Sequence, residues 1–293
     1  MTAPCTVACA QLALDVADPA ATRERTCTAI ADAFHSGANI IVVPELANSG
    51  YAFHDLHEAR RAAEDTDGPT LRTWAQLAHD FSGVVIGGFA EQADDEALHN
   101  SVAIVTEDGV AGIYRKIHLW DRENDWFHPG SAMPPVVATR FGAVSTAVCY
   151  DVYFPEFTRA IALSGAELLA VPTNAPRRVP GSTTATPASG GFPTPIQLAI
   201  YATMAHQNGI YVAACDRAGE ERGIEWIGAS GVFSPDGWML ATPPAGYGTG
   251  TLFAQCRLAD SRNKQRGNRN DLFADRRPEV YDHTTTKGTT HGR

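Results

Sequence analysis

The sequence has little positive charge and no long apolar run. Its 293 residues contain 23 Lys and Arg against 33 Asp and Glu, a formal net charge of −10 at pH 7. Because phosphate neutralisation needs clustered positive charge, this balance argues against a nucleic-acid partner. No apolar run reaches the roughly 18 residues of a membrane helix. A signal peptide begins with a positively charged region, whereas the first ten residues of this sequence contain no Lys or Arg. We therefore expect a globular cytoplasmic protein without a membrane partner.

Several chemical motifs are also missing. The six cysteines, at positions 5, 9, 27, 149, 215 and 256, form no Cys-x-x-Cys pair. In a chain of this length, without an export signal, we expect reduced thiols rather than a disulfide framework. No Gly-x-Gly-x-x-Gly opens a helix, no Walker lysine occurs, and His54 and His57 have no further metal ligands nearby. The sequence thus predicts neither a cofactor nor a metal.

What the sequence does contain is an alternation of short Val- and Ile-rich runs with helical patterns. We expect strands at 7–12, 40–44, 84–89, 102–105, 144–149, 168–171 and 211–215, and helices at 19–34, from 69, at 155–163 and at 195–208. This order predicts an α/β fold with a sandwiched sheet system. We expect a single domain over 1–293, with 260–293 as an extended C-terminal tail and 176–195 as a long loop.

Three polar residues end strands that are otherwise apolar. Glu45 follows the run 40–44, Lys116 follows 112–115, and Cys149 follows 144–148. Strand ends of α/β proteins project side chains into the crevice where ligands bind. A buried charge at such a place is costly unless it is paired. The structural alternative is that Glu45 and Lys116 form an ion pair that only stabilises the fold, and that Cys149 is a core side chain.

These three residue types together permit acyl transfer. A thiol is a strong nucleophile as its thiolate, so it needs a base or a positive field. Glu45 could take the proton of Cys149 and return it to a leaving amine. Lys116 and a backbone N–H beside Cys149 could hold the oxyanion of a tetrahedral intermediate.

The same residues lie in three segments that resemble the signatures of the nitrilase (carbon–nitrogen hydrolase) superfamily. The segments are 44–46 (Pro-Glu-Leu), 115–119 (Arg-Lys-Ile-His-Leu) and 148–156 (Val-Cys-Tyr-Asp-Val-Tyr-Phe-Pro-Glu). They occur in the family's order, with intervals of 71 residues between Glu45 and Lys116 and 33 residues between Lys116 and Cys149. The resemblance extends from about residue 5 to residue 258.

The resemblance implies a four-layer α-β-β-α sandwich. It also implies that Glu45 is the general base and acid, Lys116 stabilises the intermediate and Cys149 is the nucleophile. The backbone N–H of Tyr150 would complete the oxyanion hole with Lys116. Glu123 matches the second glutamate of many members, which would position the substrate and the Glu45–Lys116 pair; the alternative is a solvated loop carboxylate.

The Cys-Tyr-Asp sequence at 149–151 is similar to the amidase and carbamoylase branches, whereas nitrilases proper tend to carry Cys-Trp-Glu. We therefore expect hydrolysis of a small to medium, mostly aliphatic carboxamide to carboxylate and ammonia through a cysteine thioester. A nitrilase and an N-carbamoyl amine amidohydrolase remain as alternatives within enzymes. A catalytically silent scaffold on the same fold is the alternative of another class.

Substrate contacts are harder to derive. Tyr51, Trp120 and Asn174 each follow one of the segments or strands that carry the candidate residues, so we expect them to contact the substrate. The alternative for the two aromatic residues is core filling. Members of the family commonly assemble as dimers or larger, so we also expect a homodimer or a higher homo-oligomer.

Overall fold

The computed structural model describes residues 3–177 and 195–281, which form two six-stranded sheets, two strand pairs and six helices. The strands are β1 (Cys5–Gln11), β2 (Ile40–Val42), β3 (Val84–Gln92), β4 (Leu98–Thr106), β5 (Gly109–Arg115), β6 (Val137–Thr139), β7 (Gly142–Thr146), β8 (Leu168–Pro172), β9 (Tyr211–Cys215), β10 (Glu220–Glu221), β11 (Ile224–Glu225), β12 (Gly231–Phe233), β13 (Met239–Ala241), β14 (Gly250–Cys256), β15 (Gln265–Gly267) and β16 (Asn270–Asp271). The helices are α1 (Pro19–His35), α2 (Leu56–Ala62), α3 (Pro69–Asp80), α4 (Pro155–Leu163), α5 (Ile196–Asn208) and α6 (Pro278–Tyr281).

The two large sheets have related topologies. The first has the order β14-β1-β2-β3-β4-β5 and the second the order β13-β12-β9-β8-β7-β6. In each sheet three parallel strands form the centre, β1-β2-β3 in one and β7-β8-β9 in the other. Antiparallel strands flank both centres. Parallel strands need covered faces, which explains their continuous apolar sequences.

Both faces of the first sheet are buried, and alternate side chains serve different cores. In β1, Val7 and Cys9 point into the core shared by the two sheets, whereas Ala8 and Ala10 pack under α1 and α3. On the second sheet, α4 and α5 contribute Phe157 and other apolar side chains to its covering layer. The expected four-layer α-β-β-α sandwich is therefore confirmed.

The helix ends follow from local chemistry. Asp18 precedes α1, and its carboxylate accepts a hydrogen bond from the backbone N–H of Ala21 at 3.0 Å. Proline stands in the first turn of α1, α3 and α4, where its missing N–H costs nothing. Gly209 ends α5 with φ of +59°, a left-handed conformation that favours glycine. The predicted helices at 19–34, from 69, at 155–163 and at 195–208 are confirmed.

Two predicted strands were too long: the run 40–44 gives only β2 (Ile40–Val42), and the run 144–149 also ends early. The run 144–149 was expected to be extended throughout, but β7 ends at Thr146, and Cys149–Tyr153 forms a 3₁₀ turn. Apolar composition cannot show this end, because Ala147 and Val148 remain buried after the strand has stopped. Cys149 thus opens a turn with φ of +43° instead of ending a strand.

The C-terminal segment from 260 carries short elements within the described residues. Ser261 donates a hydrogen bond to the carbonyl of Glu167, and Lys264 donates to the carbonyl of Gly209 at 2.8 Å. The predicted loop at 176–195 falls largely on residues 178–194, which lie outside the described residues. Among the helices of the described ranges, none has the length and apolar character to span a membrane.

A close backbone approach fixes the chain after β2. Gly88 in β3 donates a hydrogen bond to the carbonyl of Pro44 at 3.1 Å, and its own carbonyl accepts one from Ala47 at 2.8 Å. A Cβ at position 88 would lie 2.5 Å from the nitrogen of Leu46 and 2.6 Å from the Cα of Glu45. Only glycine allows β3 to pass this close to residues 44–47.

We predict that Gly88→Ala lowers the free energy of unfolding by about 1–3 kcal/mol, because an extra methyl group in packed backbone forces a displacement. Urea unfolding followed by circular dichroism measures this change. Gly248→Ala is the matched control, since its Cβ would meet a single atom at 3.7 Å. Equal stabilities of the two variants would contradict this account of the 44–47 segment.

Candidate active site

A buried ammonium group lies between two carboxylates where β5 ends. The Nζ of Lys116 donates to the Oε1 of Glu45 at 2.8 Å and to the Oε1 of Glu123 at 2.8 Å. Lys116 and Glu45 are fully buried, and Glu123 is 2% exposed. An ammonium group has three donors, so one N–H of Lys116 is left for another acceptor.

The carboxylate of Glu45 has one occupied and one unoccupied oxygen. Besides Lys116, the side-chain amide of Asn100 donates to its Oε1 at 2.7 Å. Its Oε2 is buried and has no hydrogen-bond partner among the described residues. A carboxylate held on one side and unpartnered on the other is suited to accept a proton.

Glu123 lies in a 3₁₀ turn at Asp121–Asp125, and its carboxylate accepts two further hydrogen bonds. The hydroxyl of Tyr51 donates to its Oε1 at 2.6 Å, and the backbone N–H of Trp120 donates to its Oε2 at 3.2 Å. Glu123 is thus a buried member of the lysine cluster and not a solvated loop carboxylate. The hydroxyl of Tyr51, expected to contact substrate, is engaged with this glutamate.

Cys149 comes to the cluster from the other sheet. Its Sγ lies 3.9 Å from the carbonyl oxygen of Asn174, which follows β8. The side-chain amide of Asn174 donates to the backbone carbonyl of Glu45 at 2.9 Å, so this residue bridges the two sheets. The Oδ1 of Asn174 is buried without a partner among the described residues.

The charges of the cluster act on one another. Burial raises the pKa of Glu45 to about 7, although the Lys116 ammonium opposes the shift. Burial alone would lower the pKa of Lys116, but Glu123 and Glu45 outweigh it and hold this pKa above its usual value. Burial, together with Glu45, also holds the pKa of the Cys149 thiol well above its usual range. The lysine is therefore charged and the thiol protonated at neutral pH.

A cavity of about 610 Å³ is lined by Tyr51 and Glu123, so this cavity borders the glutamate side of the cluster. Aromatic rings form much of its wall, including Trp120 and Trp226. Trp120 packs edge-on against Tyr150 with ring centroids 4.8 Å apart, which places the residue after Cys149 beside the cavity wall. The cavity is large enough for a small organic molecule.

Sequence reasoning missed three supporting residues. Asn100 interrupts the apolar run of β4, a signal that could have revealed it. Glu221 is buried, and its Oε2 accepts from the backbone N–H of Tyr51 and from Arg217, each at 3.0 Å. The guanidinium of Arg217 stacks over Trp226 at 4.5 Å. Glu221 and Arg217 lie in a polar run that by composition resembles an ordinary turn, so only the fold reveals them.

This fold and cluster have the parts of a hydrolase that uses a thiol. The family model described as carbon–nitrogen hydrolase matches residues 6–266. The chain belongs to this family, within the nitrilase superfamily, and is an enzyme that hydrolyses carbon–nitrogen bonds.

Two curated relatives illustrate the range of the family. A protein named nitrilase from Pyrococcus abyssi is 32% identical over 281 residues, covering 94% of this chain and 98% of the relative. An N-carbamoylputrescine amidase from Solanum tuberosum is 32% identical over 295 residues, covering 94% of this chain and 93% of the relative. The two names differ in substrate, so these similarities do not distinguish the branches.

Among solved structures, an amidase from Nesterenkonia sp. superposes with a TM-score of 0.75 at 25% identity, covering 96% of each chain. Variants of this amidase have been solved with acrylamide, and with the acetamide moiety of fluoroacetamide, attached at the active site cysteine. Another of its variants was solved in complex with butyramide.

We predict that Lys116→Met lowers the free energy of unfolding by about 3–5 kcal/mol at pH 7.5, because two buried carboxylates lose their counter-ion. In the variant, the two buried carboxylates oppose folding as long as they are ionised. Because they become protonated as the pH falls towards 5.5, the loss of stability relative to the wild type should become smaller. Urea unfolding at both pH values measures it. Arg72→Met, which breaks the exposed pair with Asp67, is the control and should leave the free energy of unfolding close to that of the wild type at both pH values. A deficit that does not change with pH would contradict the ionic account.

Proposed function

We propose that this enzyme hydrolyses a small to medium, mostly aliphatic carboxamide to a carboxylate and ammonia through a thioester on Cys149. The observation that carries the proposal is the single ammonium of Lys116 shared by Glu45 and Glu123, a cluster that interacts electrostatically with the Cys149 thiol. Glu123 also lines a cavity with aromatic walls. These groups supply a nucleophile, a base and a donor for a developing oxyanion.

In the first half of the reaction Cys149 attacks the amide carbonyl carbon. The raised pKa of the thiol means that its proton must leave during attack, and the unpartnered Oε2 of Glu45 is the acceptor. The negative charge moves to the carbonyl oxygen, where the remaining N–H of Lys116 and the backbone N–H of Tyr150 donate to it. Glu45 then gives its proton to the nitrogen as the carbon–nitrogen bond breaks, so ammonia leaves and the thioester remains.

In the second half water attacks the thioester carbonyl, and Glu45 accepts the water proton. The same oxyanion donors stabilise the second tetrahedral intermediate. Its collapse breaks the carbon–sulfur bond, returns the proton to Cys149 and releases the carboxylic acid, which ionises. Glu123 does not exchange protons in this scheme; it holds Lys116 in place and raises its pKa.

The choice of amides over other substrates rests on two supports. The Nesterenkonia amidase, whose variants carry or bind acrylamide, fluoroacetamide-derived and butyramide groups, shares the fold over nearly the whole chain. The Cys-Tyr-Asp sequence at 149–151 favours the same branch. The relatives named nitrilase and N-carbamoylputrescine amidase support two alternative substrates, a nitrile and a carbamoyl amine. The same residues could form the corresponding covalent intermediates.

The cytoplasmic location and the assembly into a homo-oligomer stay predictions.

A panel of aliphatic amides, N-carbamoyl amines and nitriles tests the proposal. We expect ammonia release from amides, and an acyl adduct on Cys149 by mass spectrometry after brief exposure to substrate. Cys149→Ala is the control: it should abolish turnover and leave the circular dichroism spectrum unchanged, because only the sulfur is lost. Release from nitriles alone, or near-normal rates in Cys149→Ala, would overturn the proposal.

We also predict a pH dependence. Glu45 must be ionised to accept the thiol proton, so kcat/KM should fall about tenfold per pH unit below a pKa near 7. Asn100→Ala removes a hydrogen bond that lowers the pKa of Glu45, so this acid limb should move to higher pH. Circular dichroism over the same range controls for unfolding. An acid limb near the ordinary pKa of a glutamate would contradict the assignment of Glu45.

A further inference from the structure

The turn that presents Cys149 has an unfavourable backbone conformation. Cys149 has φ of +43°, in the left-handed region where a side chain other than glycine is strained. The turn Cys149–Tyr153 follows directly on Val148, and the N–H of Asp151 donates to the carbonyl of Val148 at 2.9 Å. A strained turn of five residues needs additional contacts to keep one conformation.

Asp151 provides these contacts from within the turn. Its carboxylate is fully buried, and its Oδ2 accepts from the backbone N–H of Val148 at 2.9 Å. The hydroxyl of Tyr114 donates to the same oxygen at 2.9 Å. The ring Nδ1 of His118 donates to Oδ1 at 2.6 Å, and the backbone N–H of His118 lies 3.3 Å from it.

Tyr114 and His118 flank Lys116 along the chain, so Asp151 joins the nucleophile turn to the lysine segment. The backbone N–H of Ile117 donates to the hydroxyl of Tyr114 at 3.2 Å, which ties the residue after Lys116 into the same network. The ring of His118 stacks on Phe154, the residue after the turn, with centroids 3.9 Å apart. One buried carboxylate thus connects the turn after β7 of the second sheet with the lysine segment after β5 of the first sheet.

We infer that Asp151 is a positioning residue of the reaction: it fixes the strained turn so that the thiol of Cys149 faces the ammonium of Lys116. The inference rests on the proposed function in taking Cys149 as the nucleophile. None of the hydrogen bonds of the Asp151 carboxylate goes to Cys149, Glu45 or Glu123 among the described residues, so Asp151 acts through the backbone of Val148 and through the lysine segment.

The test compares Asp151→Asn with the wild type in two assays. An amide group replaces one carboxylate oxygen by a donor, so at least one of the donors now meeting Asp151 loses its acceptor. Because a displacement of about 1 Å can cost about 100-fold in rate, we expect kcat to fall by roughly that factor, with KM changed less than about threefold. The alkylation rate of Cys149 by iodoacetamide, followed by mass spectrometry of its peptide, should fall as well.

Glu156→Gln is the matched control, since it removes an exposed carboxylate at the start of α4; it should leave both rates unchanged. Tyr114→Phe removes one hydrogen bond of the network and should give an intermediate loss of kcat and of alkylation. If Asp151→Asn does not fold, the test uses Tyr114→Phe instead. Wild-type values of kcat and of the Cys149 alkylation rate in that variant would overturn the inference.

The two proposals fail in different ways. A folded Asp151→Asn protein with wild-type kcat and alkylation rate would overturn the positioning role while leaving the amidase proposal intact. A wild-type protein that releases no ammonia from any amide would overturn the proposed substrate, whereas the alkylation rates would still decide whether Asp151 orients the thiol.

Discussion

The interaction on which the site depends is the buried hydrogen-bonded pairing of one ammonium with two carboxylates. Lys116 cannot be buried at the end of β5 without counter-charges, and Glu45 and Glu123 cannot be buried beside each other without Lys116. Each charge therefore requires the other two, which fixes their relative positions to within hydrogen-bond distance. Burial, with a smaller contribution from the neighbouring Glu123, raises the pKa of Glu45 to about 7 against the opposing effect of Lys116. In this range a carboxyl group can both accept and return a proton.

The surrounding fold brings this ionic cluster together with the thiol. Glu45 and Lys116 follow strands of the first sheet, whereas Cys149 and Asn174 follow strands of the second. The shared core between the sheets sets their distance, and Asn174 bridges them by its hydrogen bond to the backbone of Glu45. Side chains that closely follow strands of two packed sheets are held more rigidly than side chains on one long loop would be.

Much of the layout could be predicted, because buried strands and capped helices leave local signals. The apolar runs, the Asp18 cap and the prolines at helix starts all gave correct elements, and a charged residue after an apolar strand marked Glu45 and Lys116 as candidates. The end of β7 could not be predicted, since Ala147 and Val148 are as apolar as the strand before them. Tyr51 lines the cavity, and its contact with substrate stays a prediction. That its hydroxyl donates to Glu123 could not be predicted, because this contact depends on a loop whose backbone is held by Glu221, 170 residues away along the chain.

The sequence by itself determined the residue types, the strand ends that carry them and the α/β character of the chain, because these follow from local periodicity and from motifs of neighbouring residues. The tertiary structure alone decided which side chains meet. Strand order and sheet packing bring Asn100 to Glu45 and leave the other oxygen of Glu45 without a partner among the described residues. They also bring Asp151 of the cysteine turn to Tyr114 and His118. Those contacts join positions 33 to 55 residues apart, and no local pattern in a single sequence specifies them.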